Sequence, residues 1–566
     1  MSRLFSAVSV AFLVLLLLLA RPSMGQGAEP ELQAEAKISA QLLRQIEAGA
    51  ETEFFVLLHE QADLSRAQTL NTKEEKGRYV YDTLVETAQR TQGPLRQWLT
   101  RRGVTYHSFY IVNTLLVSGD LTLATELAAR PDVAHIISNP QVRNDLPEPA
   151  PDQESRAATP SAIEPGIAYV RAHDVWALGY RGQGIVIGGA DTGYAWQHPA
   201  LKQQYRGWNP DTETANHDYN WHDAIHEDEG QVNRCGTDSP QPCDDLLSTH
   251  GTHTMGTAVG WDGGENQIGM APDAEWIGCR NMESGDGTVA RYIECFEFFL
   301  APYPVGGDPM EDGRPDLAPD VTNNSWTCLR PFEGEDCPSE TPDILRPAVE
   351  AQVAAGIFTV VAAGNQGSAC STVMFPPAIY EASYSIGNLD ISTGELNSGS
   401  SRGPVTVDGS NRIKPDMAAP GTQIRSTTSL DGYGAEPGYG LSTGTSMAAP
   451  HVTGAVALLL SARPDLRGDI DAIKGYLNAN AVPIPTDACD SEGIPNNWYG
   501  HGRLDILAAV QDATEAPTAT YLTTIHATST AGGAPTGIGI ATLLAMTGML
   551  VVRNKRQHNP SSIDAP

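Results

Sequence analysis

The chain has 566 residues, too many for one ordinary core and enough for two or three structural units. Its 68 acidic residues against 36 basic ones give a formal charge of −32, a surface that repels phosphate and excludes nucleic acid as a partner. All eight cysteines lie between Cys235 and Cys489, an even number confined to one region, which favours disulfides in an exported protein.

Residues 1–25 combine Arg3, an apolar stretch from Val8 to Ala20 and then small or turn residues, the pattern of a signal peptide. A small unit is expected over residues 50–140. It holds a strand from Glu53 to Leu58, a helix from Tyr79 to Leu99 broken at Gly93-Pro94, and a strand pair from Tyr106 to Gly119. A short helix from Leu121 to Arg130 and a strand from Val133 to Ile137 complete it. That β-α-β-β-α-β order predicts a two-layer, ferredoxin-like α+β domain. Residues 141–166 follow as a linker and processing region, because Leu146 to Pro165 is rich in Pro, Ala, Glu and Ser.

The main domain is expected over residues 167–512. Ile185–Ala190, Ile357–Ala363 and Ser383–Ile386 read as buried strands. Helical patterns cover Ala168–Leu178, His250–Val259, Thr288–Leu300, Ile344–Ala355 and Ser446–Leu460. Unbroken apolar strands alternating with helices predict an α/β fold, a parallel sheet with helices on both faces, whose chemistry gathers beyond the carboxyl ends of the strands. Between Asp211 and Asp245 acidic residues crowd around a single cation, Arg234. That stretch reads as a solvated loop or as a site for structural calcium, although hard-cation ligand spacing is not evident. Cys235 with Cys243 and Cys328 with Cys337 are close enough to staple loops, while Cys279, Cys295, Cys370 and Cys489 cannot be paired from the sequence. No close Cys-x-x-Cys or Cys/His spacing points to zinc, and no metal ligands are assigned.

Residues 513–536, rich in Ala, Thr and Gly, read as a stalk, and residues 537–552 as a transmembrane anchor. Residues 553–566, with Arg553, Lys555 and Arg556, read as a cytoplasmic tail. The expected location is extracellular, at the cell surface, held by that C-terminal helix.

The residues that carry chemistry are spread along the main domain. Ser446 stands in a small-residue turn, Gly444-Thr445-Ser446-Met447-Ala448-Ala449-Pro450-His451, that opens an apolar helix, where unpaired N–H groups favour developing negative charge. A serine hydroxyl needs a base and a group that orients that base. Asp191 follows a buried strand and begins Asp191-Thr192-Gly193, and His250 begins His250-Gly251-Thr252-His253 at a helix start. With Val360-Val361-Ala362-Ala363-Gly364-Asn365 and Asn323-Asn324-Ser325-Trp326, these motifs resemble those of subtilisin-like serine proteases. The resemblance covers residues 167 to 512, and more weakly the N-terminal unit, which is similar to the family's inhibitory propeptide.

The resemblance implies a serine endopeptidase that works through an acyl-enzyme intermediate, without a cofactor, and is made as a self-processed zymogen. Ser446 would be the nucleophile, His250 the proton shuttle and Asp191 its orienting carboxylate, with Asn365 donating to the oxyanion. Protein substrates would add as a strand between Ser325-Trp326-Thr327 and Gly285-Asp286-Gly287, with Ala363 and Gly364 also lining the cleft. Its own propeptide would be an intramolecular inhibitor, with its C-terminal end in the cleft. Thr327 stands where the family usually has glycine, and Phe375-Pro376 matches a family position with a cis bond. His253 and His451 are expected to be structural, because the triad needs one base. A catalytically dead surface-binding protein would not need all four polar groups, and an esterase would usually carry a Gly-x-Ser-x-Gly turn that is missing around Ser446.

Overall fold

The computed structural model describes residues 35–47, 51–144, 146–147, 150–151, 163–227, 234–245, 249–328 and 343–515. The expected signal, anchor and tail, and all of the expected stalk beyond residue 515, lie outside the described residues.

The N-terminal unit is built from strand β1 (Thr52–Leu58), helix α1 (Lys73–Arg102), strands β2 (Tyr106–Phe109) and β3 (Thr114–Gly119), helix α2 (Leu121–Ala128) and strand β4 (Val133–Ser138). The antiparallel sheet has the order β2-β3-β1-β4, the ferredoxin-like arrangement. Helix α1 runs unbroken through Gly93-Pro94 instead of ending there. Gly93 has no Cβ to meet the proline ring, and the helix is held on both sides of it, by Val80, Leu84 and Ala88 in the core shared with the main domain and by Leu95 and Leu99 in the N-terminal unit's own core. A capping box, Thr72 with Glu75, starts it, and Gly103 in the left-handed region ends it.

After this unit come two short strands, β5 (Gln141–Arg143) and β6 (Ala150–Pro151). The main domain is an eight-stranded sheet. In chain order its strands are β7 (Val186–Asp191), β8 (Trp221–Asp223), β9 (Glu275–Arg280), β11 (Val321–Asn324), β12 (Phe358–Ala362), β13 (Tyr384–Asp390), β14 (Glu395–Leu396) and β15 (Met417–Pro420), with β10 (Asp286–Thr288) outside it. The spatial order is β8-β9-β7-β11-β12-β13-β14, with β15 also beside β13. All pairs are parallel except β13 with β14. A hairpin of β16 (Ile424–Ser429) and β17 (Pro437–Ser442) precedes the serine segment.

Helices α3 (His250–Val259), α4 (Val289–Leu300), α5 (Leu345–Ala354) and α6 (Thr445–Ala462) cover the sheet. Successive residues of one strand point to opposite faces. Accordingly Phe358 and Val360 join the core of α6 and α3, while Val361 joins the core of α4 and α5. Every residue of β12 is buried, which is why its sequence is continuous rather than alternating. Helix α6 is the one described helix long and apolar enough to cross a membrane, and 89% of its apolar window is buried inside the fold.

The N-terminal unit rests on α4 and α5 through a shared apolar core that includes Phe55, Val80, Leu84, Ile293, Phe296 and Leu345. Polar contacts frame it. Lys73 Nζ meets Asp320 at 3.1 Å and donates to Ala318 O at 2.6 Å, and Lys76 Nζ donates to Gly468 O at 2.6 Å. Glu297, fully buried on α4, accepts the backbone N–H groups of Tyr110 and Ile111 through Oε1.

Disulfides join Cys235 to Cys243, Cys279 to Cys295 and Cys370 to Cys489. Cys328 is disulfide-bonded as well, and Cys337 lies outside the described residues. The cis bond expected at Phe375-Pro376 is instead one residue further on, between Pro376 and Pro377.

Candidate active site

Asp191 is the last residue of β7, and its carboxylate is fully buried. It accepts from His250 Nδ1 at 2.7 Å, Thr192 N at 2.8 Å and Thr254 Oγ1 at 3.3 Å. A carboxylate only accepts, so the imidazole proton lies on Nδ1 and the lone pair on Nε2. His250 Nε2 is buried and has no hydrogen-bond partner. Gly251 makes this approach of helix and strand possible: a Cβ there would stand 2.2 Å from Gly193 O and 2.9 Å from Asp191 Cβ.

Ser446 is the second residue of α6, beside the sheet strands β11 and β12. Its hydroxyl donates to Ser325 O at 3.0 Å, and Ser325 Oγ donates back to Ser446 O at 2.9 Å. Asn323 Nδ2 donates to Ser325 Oγ, and Asn323 Oδ1 accepts from Thr453, so the end of β11 is tied to the first turns of α6. Asn365 is exposed in the loop after β12. Its Oδ1 accepts from Thr445 N at 2.9 Å and Thr445 Oγ1 at 3.0 Å, which leaves the amide NH₂ as the free, donating end. Gly364 N donates to the same Thr445 hydroxyl, and Ala363 N to Ile386 O. The structure therefore joins Asp191 to His250 directly, and Ser446 to Ser325, with Asn365 fixed next to it. Trp326 turns its ring inward: it is 2% exposed and its Nε1 donates to Ala190 O.

His253 and His451 are elsewhere engaged. His253 Nε2 lies 3.1 Å from both Ile424 O and Gly440 O, and His451 Nδ1 lies 2.9 Å from Met447 O. Burial depresses them to about 3 and about 4, so both are neutral packing groups.

The acidic stretch contains a residue that the sequence motifs did not single out. Asp244 is fully buried and accepts from Thr192 Oγ1, from Thr252 N and from Thr252 Oγ1, clasping the turn after Asp191 to the first turn of α3. Burial pushes its carboxyl up to about 7. Asp223, from the same stretch, is buried against Arg280 at 2.8 Å. Nothing local marks these two among many acidic neighbours. Among the described residues no group of three or more His, Cys, Asp or Glu side chains is arranged to hold a metal ion.

The cleft edge is occupied by the chain itself. Strand β5 pairs antiparallel with β10, Val142 opposite Gly287 and Arg143 opposite Asp286, and Asn144 N donates to Gly285 O at 2.9 Å. Further along, Ser442 Oγ donates to Pro147 O, and β6 pairs with Gly440 and Leu441 of β17, the strand just before the serine segment. The start of the expected linker, 141–166, is thus laid into the site, because two open strand edges offer unpaired backbone groups that an extended segment satisfies.

A carboxylate-oriented imidazole with a free Nε2, a serine at a helix start and an amide donor, all at the carboxyl rim of a parallel sheet, define a serine hydrolase of the α/β class. Residues 182–502 match the subtilase family model, peptidase S8. Bacillopeptidase F of Bacillus subtilis (strain 168) is 31% identical over 525 residues, 87% of this chain and 34% of that protein. The chain thus spans about a third of the length of that relative. Subtilisin DY of Bacillus licheniformis is 27% identical over 349 residues, 61% of this chain and 98% of that protein. The major intracellular serine protease of Bacillus subtilis (strain 168) is 29% identical over 301 residues, 52% of this chain and 74% of that protein. The chain belongs to the subtilase family of serine peptidases, and residues 182–502 are its peptidase domain.

Proposed function

We propose that the chain is an exported serine endopeptidase that is made as a zymogen and cuts itself in the segment lying across its own cleft. Ser446 attacks the scissile carbonyl once its hydroxyl exchanges Ser325 O for His250 Nε2. Catalytic hydrogen bonds of this kind commonly tighten only with substrate bound. His250 takes the proton and returns it to the leaving amine, while Asp191, held by Thr192 and Thr254, keeps the Nδ1–H tautomer and stabilises the imidazolium. The oxyanion is met by the Asn365 amide, aimed by Thr445, and by the first-turn N–H of Ser446, which has no intrahelical acceptor. Acylation releases one peptide product, and water hydrolyses the acyl-enzyme by the same route.

The observation that carries the zymogen reading is the anchoring of residues 141–144 on Gly285–Thr288, and of Pro147 and β6 on the hairpin just before Ser446. The N-terminal unit then acts as the inhibitor, and the cut falls between Asn144 and Pro147. Expression of the full chain and of Ser446→Ala tests this. Wild type should yield a new N-terminus within residues 145–147, and the variant should stay uncut. A variant processed as fast as wild type would refute self-cleavage.

Export by residues 1–25 and anchorage by residues 537–552 complete the proposal. Protein or peptide substrates would be met outside the cell. Release of the full-length protein from membranes without detergent would refute the anchor.

A further inference from the structure

Asn144 is 5% exposed, and both ends of its carboxamide are engaged. Thr327 N donates to Oδ1 at 3.3 Å, while Nδ2 donates to Tyr292 Oη at 3.1 Å and to Met282 Sδ at 3.4 Å. The amide's orientation follows from the partners, because a backbone N–H can only donate and so faces the oxygen. The receiving groups are fixed. Tyr292 is fully buried in the first turn of α4, and its ring stacks on Trp326 with centroids 4.1 Å apart and planes 15° from parallel. The backbone comes equally close: a Cβ at Gly285 would stand 2.6 Å from Asn144 O, and Gly285 itself has φ +90°, a conformation that side chains disfavour.

We propose that Tyr292, Thr327 and Met282 form a carboxamide-reading subsite that selects asparagine in protein substrates, at the position that Asn144 occupies in the chain's own segment. The proposal rests on the reading that residues 141–147 lie as a substrate does. Chemistry excludes the near neighbours. Leucine has the same branching but would leave the Thr327 N–H and the Tyr292 hydroxyl unpaired in a buried site. Aspartate could accept from Thr327 but would add a negative charge near that of Asp286, with no donor for Met282. Glutamine is one methylene too long to keep both contacts with its backbone fixed on Gly285. Alanine fills none of the pocket. A buried polar pair of this kind discriminates on the order of 10- to 100-fold.

The test uses enzyme matured from the full chain and quenched peptides containing Gln-Val-Arg-Asn-Asp-Leu-Pro, with the Asn kept or replaced by Asp, Leu, Gln or Ala. Wild type should show a kcat/KM for the Asn peptide about 10-fold or more above each of the others. Tyr292→Phe, which keeps the stacked ring, should reduce the Asn-to-Ala ratio by about tenfold. Equal rates on all five peptides, or an unchanged ratio in Tyr292→Phe, would overturn the subsite. Cleavage of the parent peptide only outside the Asn-Asp-Leu-Pro stretch would overturn the substrate-like reading of residues 141–147 as well, so the two failures are told apart.

Discussion

Glu297 is the buried contact by which the N-terminal unit can be loosened selectively. Its side chain is fully buried on α4, Oε1 accepts from Tyr110 N and Ile111 N, and Oε2 has no partner. Both donors sit in the turn between β2 and β3, and both residues are buried. In Glu297→Ala these two N–H groups lose their acceptor in a place water does not reach. At about 1–3 kcal/mol for each orphaned group, the turn loses about 2–6 kcal/mol. The assay is amide hydrogen exchange on the full chain in a Ser446→Ala background, where the segment across the cleft stays intact. At 1.4 kcal/mol per decade, protection over residues 106–119 should fall by about 30-fold or more, while β7, β11 and β12 keep theirs. Unchanged protection at Tyr110 and Ile111 would refute the assignment of this carboxyl as the clasp. The same group sets a pH dependence. Burial pushes Glu297 up to about 8 from its ordinary 4.5, so between these values the folded state holds a proton that the unfolded state has lost. Stability conferred by this group therefore falls as pH rises from 4.5 to about 8, and Glu297→Gln should flatten that slope.

Replacing Asn365 by Ala should lower kcat by about 10²–10³ with KM little changed, the cost known for loss of the side-chain oxyanion donor in subtilisin; an equal rise in KM with kcat preserved would place the residue in ground-state binding. His226 lies 2.9 Å from buried Glu294, and the carboxylate raises the imidazole to about 10 despite partial burial. Glu294 is in turn held well below the usual range, because His226 and His222 outweigh its burial. Folded His226 binds its proton more tightly than unfolded His226, so its contribution is complete below about pH 6.5 and is lost as pH rises through about 10. Melting of the Ser446→Ala chain should accordingly be lowered by His226→Ala at pH 6 and much less at pH 10.5, and an equal effect at both would refute the ion pair. The Cys370–Cys489 bond links residues 119 apart, so the double serine variant should lose about 2–5 kcal/mol in urea unfolding, and an unmoved midpoint would refute this.

The sequence by itself determined the main helices and strands of the peptidase domain and the chemistry's residue types. Val360 and Val361 on a continuous apolar strand require cover on both faces, and the small residues before Met447 open an apolar helix. Those are local consequences of side-chain size and period, so they can be read from neighbours in the chain. Tertiary structure alone decided which of many similar groups are used. Asp244 and Asp223 look like their acidic neighbours until the fold buries one against Thr192 and Thr252 and the other against Arg280. Gly93-Pro94 signals a break, yet the helix continues because apolar residues before it are held against α4 and α5 and those after it in the N-terminal unit's own core. Residues 141–143 and 150–151 fall in the expected linker, and only the open edges of β10 and β17, contributed by residues more than a hundred positions away, turn them into strands. Hydrogen bonding between distant backbones leaves no mark in local composition, and so which residues pair with those edges could be learned only from the folded chain.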